Sequence, residues 1–118
     1  MVEQLNKESF KEKVFDFEKH SAWNYGGKLP CVIDFYADWC GPCKLVAPLM
    51  EELAETYDGK VLFYKVDTQS ERDLAAMFGI RSIPSILFVP TDKKPQMAVG
   101  ALPREDMEKA ITDVLEVK

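Results

Sequence analysis

Apolar positions along the chain follow two rhythms in turn. Phe10, Val14 and Phe17 recur at i, i+4 and i+7, which predicts a helix over residues 7–20 with one apolar stripe. Asn6 suits its N-cap, and Ser9 with Glu12 offers an alternative capping box. From Ser21 to Pro30 the rhythm breaks, and Gly26, Gly27 and Pro30 predict a loop. Cys31-Val32-Ile33-Asp34-Phe35-Tyr36-Ala37 is a nearly continuous apolar run, the pattern of a strand covered on both faces. Helical spacing returns with Val46, Leu49, Met50, Leu53 and Tyr57, predicting a helix over about 40–57. Pro48 falls inside it, where its missing backbone donor predicts a kink.

The second half of the chain shortens the elements. Residues 61–67 predict a strand, and residues 71–78 a short helix stopped by Gly79. Residues 85–89 predict a third strand directly after Pro84. A polar turn at Thr91-Asp92-Lys93-Lys94 brings a fourth strand, residues 96–99, into a hairpin with the third. Pro103 suits the first turn of a last helix with Ala110, Ile111, Val114 and Leu115 as its stripe. The early strands imply right-handed parallel crossovers and the late hairpin adds antiparallel pairing. The expected class is α/β: a mixed central sheet flanked by helices on both faces. At 118 residues the chain is expected to form a single domain, 1–118.

Charge narrows the function classes. Twenty Asp and Glu against fifteen Lys and Arg give a formal charge of −5, so no basic excess favours nucleic acid. No apolar run approaches the roughly 18–20 residues that a membrane-spanning helix needs, and no membrane insertion is expected. The first ten residues, MVEQLNKESF, lack the apolar stretch of a signal peptide. A cytoplasmic setting is the expectation, with a periplasmic one after removal of a signal as the alternative. Three cysteines are too few for a disulfide scaffold, and a metal site at Cys40 and Cys43 would need two further ligands, for which only Cys31 and His20 remain. No metal and no cofactor are expected. Cys31 reads as a small buried apolar residue.

Cys40 and Cys43 carry the candidate chemistry. They flank Gly41-Pro42 where a strand hands over to a helix. Unpaired N–H groups and the macrodipole at a helix start favour an anion, and a thiolate is one. A free thiol with a pKa of about 8.5 is only ~3% ionised at pH 7, so a modest downward shift makes it a far better nucleophile. One helical turn brings positions i and i+3 together, so Cys43 can attack a mixed disulfide formed at Cys40. Cys43 is expected to be the more buried of the two. Asp34 interrupts an apolar strand, where burial raises a carboxyl pKa toward neutrality. It is the candidate acceptor for the Cys43 proton.

The stretch Phe35-Tyr36-Ala37-Asp38-Trp39-Cys40-Gly41-Pro42-Cys43-Lys44 resembles the active-site signature of thioredoxins. Ala47-Pro48 is similar to the family's kinked helix, Arg81-Ser82-Ile83-Pro84-Ser85 to its cis-proline segment, and Val99-Gly100-Ala101 to its glycine turn. Asp34 matches the family's buried aspartate, and the likeness covers about residues 5–117. The resemblance implies a thioredoxin fold and a dithiol–disulfide oxidoreductase that reduces disulfide-containing protein substrates. In it Cys40 is the nucleophile, Cys43 resolves, and Asp34 handles the proton. Trp39, Gly41, Pro42, Ile83, a cis Pro84, Gly100 and Ala101 would form the substrate platform. It also implies a monomer, recharged by thioredoxin reductase or another electron donor.

Two other readings share these residues. One is a thiol oxidant or isomerase of the same fold in an oxidising compartment, although Gly41-Pro42 resembles the reducing branch. The other is a redox-silent subunit that uses the Trp39–Pro84 surface for binding. The chain departs from the family pattern at the long Ser21–Pro30 loop, at Tyr36 where tryptophan is common, and at Ser82 where glycine is frequent. The family often has a lysine near the buried aspartate. Aligned on Val66-Asp67, Lys65 does not fall at that position and stays outside the expected mechanism.

Overall fold

The structure is a computed structural model and describes Met1–Val117. Five strands form one sheet in the order β1-β3-β2-β4-β5. They are β1 (Val2–Gln4), β2 (Cys31–Tyr36), β3 (Leu62–Asp67), β4 (Ser85–Val89) and β5 (Gln96–Val99). The helices are α1 (Lys7–Lys13), α2 (Cys43–Thr56), α3 (Arg72–Met77) and α4 (Arg104–Asp113). The first three strands are parallel; β4 runs antiparallel to β2, and β5 antiparallel to β4. The expected mixed sheet and late hairpin are both present.

Burial follows the pleat of the central strand. Successive side chains of β2 point to opposite faces. Val32 joins Val46, Met50 and Leu53 of α2 and Met107 and Ile111 of α4. Ile33 and Phe35 join Phe10 of α1 and Leu74 of α3 on the other face. Cys31 opens the strand as a fully buried free thiol, and burial pushes its pKa up to about 12.

Two expectations for the N-terminal region need correction. The first helix ends at Lys13 rather than near residue 20. Val14 and Phe15 both send their N–H groups to the Phe10 carbonyl, and the Asp16 carboxylate then accepts the N–H groups of Glu18 and Lys19. Asp16 thus offers the backbone a turn in place of helix. The cap is Asn6, and its box partner is Ser9 rather than the expected Ser9–Glu12 pair. Strand β1 was not expected at all. It has three residues, of which only Val2 is buried, too short for any alternation to show.

The helix that carries the cysteines starts at Cys43, not Cys40. Cys40, Gly41 and Pro42 form the turn ahead of it, with the Cys40 N–H on the Ala37 carbonyl at 3.2 Å. Pro48 lies within the helix, as its position in the sequence requires.

Candidate active site

The turn after β2 delivers the two cysteines to the same place. Cys40 and Cys43 are joined as a disulfide with their Cα atoms 5.3 Å apart. The Cys43 N–H, at the first residue of α2, points at the Cys40 sulfur from 3.2 Å. That sulfur also sits 3.7 Å from the Ile83 carbonyl oxygen. In the reduced protein the same N–H and the helix start would stabilise a Cys40 thiolate. The expected contrast in burial is absent: the residues are 4% and 3% exposed. Cys40 packs in one cluster with Ala37, and Tyr36 and Ile83 lie against it.

Asp34 lies beneath this pair in the sheet. It is 3% exposed, and its Oδ1 has no hydrogen-bond partner. Burial raises its pKa from 3.8 to about 7, and the nearby Lys65 charge pulls it back part of the way. Asp34 and Lys65 are paired in register between β2 and β3. A cavity of about 230 Å³ connects the groups, lined by Asp34, Tyr36, Cys43, Glu51 and Lys65 together with Val2. Asp34 and Cys43 therefore border one space large enough for water between them.

Of the expected platform residues, Ile83 packs on the cysteine cluster and the others are placed by their own elements. Trp39 is 67% exposed beside the turn, and Gly41 and Pro42 are exposed between the two sulfurs. Ile83 packs half-buried on the cysteine cluster. The Ile83–Pro84 bond is cis and Pro84 is buried. The Pro84 carbonyl accepts the Gly100 N–H at 2.8 Å, which ties the start of β4 to the end of β5. Gly100 makes that bond with φ at +106°, a conformation open to glycine because it has no Cβ. Ala101 follows it, exposed.

Comparison with known proteins decides the family. The thioredoxin family model matches residues 1–113. The chain belongs to the thioredoxin family. It is 44% identical to a thioredoxin of Borreliella burgdorferi over 113 residues, covering 96% of this chain and 97% of that one. It is 37% identical to a thioredoxin of Synechocystis, covering 95% of each. Among solved structures it is similar to chloroplastic thioredoxin z, with a TM-score of 0.81, 27% identity, and 98% and 96% of the two chains covered. With its Cys40–Cys43 pair, this thioredoxin-family protein is a dithiol–disulfide oxidoreductase, a protein-disulfide reductase. The family acts on disulfide substrates and is reduced by thioredoxin reductase.

Lys65, which stands outside the family's lysine position when aligned on Val66-Asp67, is nevertheless the register partner of Asp34. Sequence alone does not show this, because the pairing register of two parallel strands is not written in either strand alone. The usable signal was the lone lysine inside the apolar run Val61–Val66. Tyr36 and Glu51 complete the same cavity and were not expected there either.

Proposed function

We propose that Cys40 attacks a disulfide in a protein substrate, that Cys43 resolves the intermediate, and that Asp34 takes the proton. The Cys40 thiolate adds to one substrate sulfur, the substrate S–S bond breaks, and the second substrate sulfur leaves as a thiolate. The Cys43 thiol then passes its proton to Asp34, directly or through a water in the shared cavity, and attacks the Cys40 sulfur. The mixed disulfide breaks, the remaining substrate thiolate leaves, and Cys40–Cys43 is oxidised. Two electrons have moved from the dithiol to the substrate.

The observation that carries this assignment is a single cavity bordered by both Asp34 and Cys43, with the Asp34 pKa near 7. A carboxyl poised there can accept and release a proton at working pH. Trp39, Gly41, Pro42, Ile83, Pro84, Gly100 and Ala101 are assigned to the surface that receives the substrate chain. Thioredoxin reductase is the proposed electron donor, in keeping with the Gly41-Pro42 dipeptide of the reducing branch, and the cytoplasm is the proposed setting.

The test is turnover of a disulfide-bonded protein with NADPH and a thioredoxin reductase, together with single-turnover decay of the mixed disulfide. Asp34→Asn should slow that decay about tenfold, within the usual range of general-base effects. An unchanged decay rate removes Asp34 from the mechanism. A reduction potential near that of protein disulfide isomerase, about −180 mV, would overturn the reductase assignment.

A further inference from the structure

Strand β1 reaches the proton cavity from outside the expected machinery. Gln4, Lys65 and Asp34 are register partners across three adjacent parallel strands, so they form one polar rung on a single face of the sheet. Gln4 lies at the exposed edge and Asp34 at the buried centre. The Gln4 side-chain amide donates to the Tyr36 hydroxyl at 2.9 Å. The Val2 N–H donates to Glu51 Oε1 at 3.2 Å. Tyr36 and Glu51 both line the cavity that holds Asp34, Lys65 and Cys43. The Tyr36 ring also packs on the cysteine cluster and lies 6.0 Å from the Lys65 ammonium. Thr68 fixes the Tyr36 carbonyl with two hydrogen bonds, from its N–H at 2.9 Å and its hydroxyl at 3.0 Å. The ring is thus held at both ends, by its backbone and by its hydroxyl.

We propose that Gln4 and Tyr36 are positioning residues that close the rim of the cavity over Asp34 and limit the access of water to it. The proposal rests on the reading of Asp34 as proton acceptor, and goes beyond it by naming what limits exchange of that cavity with bulk water. The charged and titratable groups around Asp34 are Lys65 from β3, Tyr36 from β2, and Glu51 and Cys43 from α2. On the other side its partner on β4 is the apolar Ile86. Burial is the main cause of the raised Asp34 pKa, and Lys65 opposes it. Loosening the rim therefore admits water and lets the carboxyl ionise more readily. Loss of Lys65 alone would act in the opposite direction.

The experiment follows the Asp34 carboxyl by NMR titration in the oxidised protein. Tyr36→Phe removes only the hydroxyl that takes the Gln4 amide, and Gln4→Met removes the donor while keeping the side-chain length. Each should lower the Asp34 midpoint by about 0.5 unit, and the double variant by no more than either alone, as expected when one solvation contact is shared. The pH profile of mixed-disulfide decay should move down by the same amount. Midpoints within 0.2 unit of the wild type, or midpoints that rise, would overturn the proposal. Gln4 is exposed, so Gln4→Met keeps the test usable even where changes at Tyr36 disturb folding. Failure of the underlying reading shows separately: Asp34→Asn would then leave the decay rate unchanged while the midpoints still report closure.

Discussion

Asp34 and Lys65 are direct partners across the parallel β2–β3 ladder, the carboxylate buried and the ammonium half-buried beside it. Two opposing influences meet at that carboxyl. Burial pushes the pKa up and the lysine charge pulls it down, and the balance lies near 7. A proton acceptor that must also give its proton back works best when its pKa is close to the surrounding pH.

Removing the lysine should tip this balance. Lys65→Met is expected to raise the Asp34 midpoint by about 1 unit, because only the burial effect remains. The pH profile of mixed-disulfide resolution should shift upward with it. Carboxyl NMR titration and stopped-flow decay of a mixed disulfide provide the two measurements. A midpoint that stays put or falls would show that Lys65 does not act on Asp34.

The same carboxyl makes stability depend on pH. The folded protein holds the Asp34 proton up to about pH 7, whereas the unfolded chain releases it near 3.8. Between those values the native state binds more protons, so this contribution to stability falls as pH rises. It is fully present below pH 3.8, and above pH 7 the loss levels off at about 4 kcal/mol. Asp34→Asn should therefore be more stable than the wild type at pH 8, by about 2–4 kcal/mol, and little different at pH 4. Urea unfolding of the oxidised protein across this range checks the sign.

Sequence and structure agree most closely where turns bound the elements sharply. The limits of β4 and β5 were legible because Pro84 precedes one strand and the Thr91–Lys94 turn separates the two. The cysteine pair and Asp34 were legible because each breaks the pattern of its surroundings. The end of α1 was not, since Phe17 keeps helical spacing although Asp16 has already turned the chain. Neither the Gln4–Lys65–Asp34 rung nor the cavity beside it was visible. Both arise from the alignment of separate strands, a property of the sheet rather than of any segment.

The two cysteines should behave differently when one is removed. Cys43→Ser leaves Cys40 free to attack but nothing to resolve the product, so a mixed disulfide with substrate should accumulate. Cys40→Ser should form none. Non-reducing electrophoresis or intact mass of the trapped species distinguishes them. Trapping by Cys40→Ser alone would reverse the assigned roles, and equal trapping by both variants would abolish them.

The N-terminal cap should be worth measuring on its own. Asn6 Oδ1 accepts the Ser9 N–H at 2.8 Å, and Ser9 Oγ accepts the Asn6 N–H at 2.9 Å. Asn6→Ala removes one half of this box and should cost about 1 kcal/mol. Chemical denaturation should show a lower midpoint with an unchanged slope, and activity at 25 °C should stay near that of the wild type.

Cys31 gives the exchange chemistry its boundary. It lies at the foot of the very strand that ends beside the active disulfide, yet it is sealed in the core and held as a neutral thiol up to about pH 12. Electrons delivered to the molecule consequently have a single destination. No internal scrambling partner competes for the disulfide, and the redox state reduces to one bit, the pair either open or closed.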